Sequence, residues 1–225
     1  MSDQAVLSTP ELDAVEFAVN PEPRCACVLL LDTSGSMQGA AINALNEGLR
    51  AFATDVAADP LARQRVEVAV VTFGGAVQVV NEFATVANFT PPALGADGGT
   101  PMGHAIEVAL DRLETRKESY RANGVPYYRP WVFLVTDGQP TDEWKAAAQR
   151  VHDAEEANGL AFFAVGVEGA DMATLGKIAV RTPLRLRGLA FTELFLWLSR
   201  SQRQVSSSRP GDHLSLPPVQ GWASI

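Results

Sequence analysis

Very little in this chain points to secretion, a membrane or a nucleic acid. Two cysteines and three histidines stand among 225 residues, and no apolar run approaches the roughly 18 residues of a membrane span. Met1-Ser2-Asp3-Gln4 has neither the basic nor the apolar region of a signal peptide. Lys and Arg number 18 against 26 Asp and Glu, a net charge of −8, and the pI is about 4.9. A general nucleic-acid binder would carry a basic patch or stripe instead. These absences lead to the expectation of a cytoplasmic protein. Signatures of common enzymes are missing as well. No Gly-x-Gly-x-x-Gly or Walker loop follows the first strand, no Gly-x-Ser-x-Gly elbow appears, and His104, His152 and His213 lack an obvious partner for acid–base work.

Cys25 and Cys27 sit two apart on a predicted strand, so both side chains face the same way. A disulfide there would be strained, with Cα atoms about 6.5–7 Å apart, and a metal site would need further ligands. They read as two buried thiols in a reducing compartment.

Apolar residues make up 47% of the chain, enough to cover both faces of a sheet in one large domain. Arg24 to Leu31 reads as the first core strand. A helix follows from Gln38 to Ala58, with Ile42, Leu45, Leu49, Phe52 and Val56 forming one apolar stripe. Val66 to Phe73 is a second strand, and Gly74-Gly75 signals a hairpin into an edge strand, Ala76 to Val80. Pro101 suits the first turn of a helix that turns Met102, Ala105, Ile106, Ala109, Leu110 and Leu113 inward. The charge-dense stretch Glu114 to Arg129 reads as a helix extension plus a solvated loop. Trp131 to Val135 is a central strand, and Thr141 caps a helix that ends at Asn158-Gly159. Leu160 to Val167 is a strand, a short helix starts after Asp171, and Leu184 to Leu186 is a weak strand. The last helix runs from Phe191 to Ser201.

This alternation predicts an α/β fold: a Rossmann-like, doubly wound, mostly parallel sheet with one antiparallel edge strand and helices on both faces. Residues 1–22 form a leader segment in which Val15 to Val19 is a candidate short strand. Residues 23–201 form the domain. Residues 202–225 are a Ser/Pro-rich tail, with Leu214, Leu216 and Trp222 available to pin it to the domain surface.

In open sheets of this kind ligands bind in the crevice at the carboxyl ends of the strands. Three loops there carry oxygen ligands: Asp32-Thr33-Ser34-Gly35-Ser36, Gly98-Gly99-Thr100 and Thr136-Asp137-Gly138. Carboxylate and hydroxyl oxygens are what a hard, magnesium-sized cation prefers. Only Asp32 and Asp137 are charged; Ser34, Ser36 and Thr100 are neutral. A charge-poor set of this kind leaves the ion room for waters and for a carboxylate from another protein. That suits metal-bridged adhesion better than hydrolysis. Met37, Gln38, Asp97 and His104 form a candidate partner-binding rim around it.

These residues resemble the metal-ion-dependent adhesion site (MIDAS) of the von Willebrand factor A (VWA) domain, with its Asp-x-Ser-x-Ser element, lone Thr and distal Asp. The resemblance implies that Ser34, Ser36 and Thr100 bind the metal directly and Asp32 and Asp137 mostly through water. Magnesium is the implied ion, with manganese or calcium as substitutes. Further stretches are similar to the bacterial tellurium-resistance proteins of the TerY-like group: Pro23 to Cys27, Tyr127 to Trp131, Thr136 to Asp142, and the ending around Leu216-Pro217-Pro218 and Gly221-Trp222. That similarity implies a stand-alone, non-enzymatic interaction protein, working beside a phosphatase 2C-like protein and a kinase in stress or defence systems.

The main rival is a metal-dependent phosphoesterase-type hydrolase of the haloacid-dehalogenase kind, with Asp32 as nucleophile. Such enzymes need a second acid two residues on, where this chain has Ser34. A purely structural subunit with no metal is the other alternative.

Overall fold

A strand inside a parallel sheet is covered on both faces, so its side chains must be apolar whichever way they point. Cys25–Asp32 (β1) meets that demand, and every residue in it is buried. Cys25, Cys27, Leu29 and Leu31 enter one core cluster, while Ala26, Val28 and Leu30 enter the other. The computed structural model describes residues 15–212, 214–219 and 221–224.

Among the described residues, seven strands form one sheet in the order β3-β2-β1-β4-β5-β6-β7. β1 lies between β2 (Val66–Gly74) and β4 (Trp131–Thr136), parallel to both. β5 (Ala161–Gly166) and β6 (Leu184–Leu186) continue the parallel run. The Gly74-Gly75 turn sends β3 (Ala76–Thr85) back antiparallel along β2, as the sequence predicts, though the strand runs well past Val80. At the other edge the two-residue β7 (Ala223–Ser224) pairs antiparallel with β6.

On one face lie α1 (Ala40–Ala57) and α6 (Phe191–Ser206). The expected stripe of α1 meets Phe191, Leu194, Phe195, Trp197 and Leu198 there. A short helix, α2 (Ala62–Arg65), leads into β2. On the other face lie α3 (Met102–Ala122), α4 (Lys145–Glu156) and α5 (Met172–Ile178). The expected doubly wound α/β architecture is the one observed. Among the described residues, no helix is long and apolar enough to cross a membrane.

Four sequence expectations need correction. Residues 15–19 are helical rather than a strand, with Phe17 buried; residues 1–14 of the expected leader lie outside the described residues. The charge-dense stretch is not simply a solvated face. The expected helix extension is there, α3 running to Ala122, but it buries Arg116, Lys117 and Tyr120, because Glu67 at the start of β2 waits beneath Arg116 and Tyr120. Thr141 does not cap α4, which begins at Lys145. The last helix runs five residues past Ser201 to Ser206, with Ser201, Gln202 and Ser206 buried, so the boundary expected at 201 falls inside α6. Beyond it, Trp222 is buried 5.5 Å from the Trp197 ring, and the Trp197 indole N–H donates to the Pro217 carbonyl (2.8 Å). Leu216 is half-buried and Leu214 exposed.

Candidate metal centre

The strand order puts β1 and β4 side by side, so the loops leaving them meet at the carboxyl edge. Asp32, the last residue of β1, is fully buried. Its Oδ1 accepts the Ser34 backbone N–H (2.8 Å) and its Oδ2 accepts the Thr136 hydroxyl at the end of β4 (2.5 Å). A single 3-10 turn, Gly35–Met37, follows and brings Ser34 Oγ to 3.0 Å from Ser36 Oγ. Ser36 Oγ then donates to Asp137 Oδ1 (2.7 Å). The third loop enters through Thr100, which is 5% exposed. A Cβ placed on Gly138 would lie 3.3 Å from Thr100 Oγ1 and 3.8 Å from Asp32 Oδ2, which locates both side chains against the same piece of main chain. All five residues singled out from the sequence therefore converge.

Burial pushes the Asp32 carboxyl above the usual carboxylate range; hydrogen bonds from Ser34 and Thr136 oppose that, and the Asp137 charge adds to it. Neither Asp32 nor Asp137 forms an ion pair among the described residues, and their donors are neutral. Two carboxylates with no cationic side chain are a deficit of positive charge, which a bound cation would fill. The donor set also fits the kind of cation. It consists of hard oxygens, which suit magnesium, manganese or calcium. Among the described residues, no group of three or more His, Cys, Asp or Glu is placed so that it could hold a metal ion by itself. The candidate donor set is therefore two carboxylates completed by hydroxyls.

Supporting residues escaped the sequence reading. Thr141, expected as a helix cap, instead accepts the Thr100 N–H on its Oγ1 (3.1 Å) while its own N–H donates to the Thr100 carbonyl (2.9 Å). Asp142 holds the start of α3, accepting the N–H groups of Gly103 (2.9 Å) and His104 (2.8 Å), the service an N-cap performs from within a helix's own sequence. The only sequence hint was two oxygen-bearing residues just past the Asp137 loop. Gly98 has φ +72°, and a Cβ there would fall 2.4 Å from Gly75 Cα; only glycine combines that backbone with that approach. Of the candidate rim, Gln38, Asp97 and His104 are exposed. Met37 is fully buried in the core below the loop and does not line the entrance, because the 3-10 turn directs its apolar side chain inward.

A doubly wound sheet with hydroxyl- and carboxylate-bearing loops at its carboxyl edge defines a class of α/β ligand-binding domain. Residues 27–190 match the von Willebrand factor type A domain family, and the chain belongs to it. It is 36% identical over 83 residues to human matrilin-3, which is 36% of this chain and 16% of that one. Mouse matrilin-1 gives 36% identity over 81 residues, 36% and 15% of the two chains. The chain thus matches less than a fifth of the length of these curated relatives. Among solved structures, proximal thread matrix protein 1 from the mussel byssus, with a zinc-occupied MIDAS motif, superimposes with a TM-score of 0.54 at 19% identity, covering 80% of this chain and 48% of that one. The PilB minor pilin from Streptococcus sanguinis gives a TM-score of 0.60 at 13% identity, covering 82% and 62%. At these identities the likeness is one of fold.

Proposed function

We propose that this protein is a non-enzymatic interaction module that binds one divalent cation and uses it to capture an acidic residue of a partner protein. The Ser34, Ser36 and Thr100 hydroxyls and the Asp32 and Asp137 carboxylates would hold the ion. Magnesium is the first choice, and manganese or calcium would serve. When bound, the ion would offer a coordination position to a partner carboxylate. The observation that carries this reading is the chain of short contacts linking Ser34, Ser36 and Asp137 across two loops, with Asp32 tied to Thr136 behind it. It leaves two carboxylates without a counter-charge.

The hydrolase alternative fares worse. A nucleophilic Asp32 would need a free, accessible oxygen, yet it is fully buried and both its oxygens accept hydrogen bonds. Similarity to the TerY-like proteins extends the proposal to a cytoplasmic role in a bacterial stress-response, tellurite-resistance or defence system, with a phosphatase 2C-like protein or a kinase as partner. Gln38, Asp97 and His104 are the proposed rim.

Titration calorimetry with magnesium or manganese tests the core of this reading. Wild type should give a binding isotherm, and Thr100→Ala should bind at least tenfold more weakly while staying folded. Identical heats for the two proteins would overturn it. Affinity purification from the native host should lose the partner when EDTA is added.

A further inference from the structure

A groove of about 370 Å³ runs away from the proposed metal centre between β3 and the segment 93–97. It starts at Thr33, the residue between Asp32 and Ser34, and at Asp97, whose backbone N–H donates to the Thr33 carbonyl (2.8 Å). Ala76, Gln78 and Val80 form its sheet wall. They alternate along β3 with Val77 and Val79, which turn to the opposite face and pack on the core there. Leu94 forms part of the other wall. At the lower end of ligand-pocket volumes, a groove of this size takes a short extended segment rather than a folded domain. Its walls are neutral, with Thr33, Thr72 and Gln78 as the polar side chains among small and apolar ones, and Asp97 is the single charged residue among those lining it. One Asp97 oxygen accepts the Gly98 N–H (2.7 Å); the other has no partner among the described residues.

The neighbouring loops have the same sign. Asp142, Glu143 and Glu168 stand on the loops after β4 and β5, and a Cβ on Gly169 would come 3.2 Å from the Asp137 carbonyl. Neither loop carries a Lys or Arg; the first basic residue beyond them is Lys145, which opens α4. A partner bringing only acidic groups to this edge would meet repulsion everywhere except at the ion. A cationic side chain beside the metal-seeking carboxylate removes that penalty.

Resting on the proposed function, we infer that the protein reads a partner segment in which the metal-seeking Asp or Glu is accompanied by a Lys or Arg, the basic stem lying along Ala76, Val80 and Leu94 and its charge meeting Asp97. Long basic side chains suit such a wall because their methylenes cover apolar surface while the charged end stays wet.

The test is an array of immobilised peptides, each with a central Asp and every residue type in turn at the flanking positions, probed with the full chain in magnesium. Captured peptides should be enriched severalfold in Lys and Arg on one side of the Asp. Asp97→Asn, which keeps an acceptor oxygen for Gly98, should reduce that enrichment to parity, and Asp97→Lys should replace it with a preference for Glu and Asp. Magnesium-dependent, Asp-dependent capture with no basic preference, or a preference unmoved by both variants, would overturn this inference and leave the metal reading standing. Loss of magnesium binding in Asp97→Asn would also overturn it, by placing Asp97 in the metal set. No capture, or capture indifferent to EDTA, would overturn both readings.

Discussion

The two ends of the central sheet bury charge in opposite ways. At the amino end, Arg24 and Glu67 are both fully buried and pair at 2.7 Å. Arg116 Nε reaches the other Glu67 oxygen at 2.8 Å, and the Tyr120 hydroxyl donates to that oxygen as well. Phe17 lies 5.2 Å and 4.9 Å from the two guanidinium carbons. Burial alone would lower the Arg116 pKa, but the hydrogen bonds and charge of Glu67 more than reverse this. The chain supplies its own counter-ions there, and the cluster is closed. At the carboxyl end, Asp32 is equally buried but receives only neutral donors. Buried charge therefore does not by itself mark a site. What marks it is a charge whose counter-ion the chain does not provide.

The largest effect should come from opening the closed cluster. Glu67→Ala leaves Arg24 buried without its partner and should cost about 3–5 kcal/mol, read from urea or thermal unfolding with no metal added. If that variant melts like wild type, the cluster does not have the structural role given it here.

Next in size is the open end. Magnesium at about 100 times its dissociation constant should stabilise wild type by about 2.7 kcal/mol, raising the melting temperature by roughly 5–10 °C. Thr100→Ala and Asp137→Ala should lose most of that shift, with the metal-free melting point little changed. Glu67 variants that still fold should keep it. A magnesium shift that survives in Thr100→Ala would erase the distinction between the two ends.

A smaller effect tests how the centre is held. Asp142→Ala removes the acceptor at the start of α3 and should cost about 1 kcal/mol. Because α3 follows Thr100 directly, weaker magnesium binding should accompany the loss; unchanged binding would separate the cap from the centre.

The smallest effect at neutral pH concerns the two buried thiols, which are free. Burial pushes Cys25 up to about 12, with the Glu67 charge adding to it, and raises Cys27 further, again mainly by burial. A thiol whose pKa is raised on folding stabilises fully below its unfolded value, about 8.5, and loses that contribution as pH climbs toward the folded value. Melting points should therefore fall from about pH 9 upward. Ellman's reagent should find no thiol at pH 8 in the folded protein and both after denaturation; rapid native reaction would contradict their burial.

The sequence was most readable where one segment carries its own signal. β1 shows apolar side chains at every position to Leu31, and the α1 stripe is written at spacings of three and four, so both follow from local chemistry. The oxygen-bearing residues of the three loops could be singled out because each lies at a predicted strand end or helix start, where a doubly wound sheet brings separate loops together. Arg116 and Tyr120 were misread because the group that makes their burial possible, Glu67, lies 49 and 53 residues away. Thr141 looked like the cap of its own helix, yet it bonds Thr100, and Asp142 beside it holds the start of α3. Met37 looked like rim because it adjoins Ser36; a single 3-10 turn reverses its direction.

From its sequence alone this protein owed the order of its strands and helices, its two-faced core and the chemistry of its candidate ligands, because hydrophobic periodicity and donor type are properties of short stretches. Tertiary structure alone decided which charges were answered within the chain, where the start of α3 found its acceptor and which residues line the groove beside β3. Those outcomes depend on distances between segments far apart in sequence, and no local pattern encodes a distance.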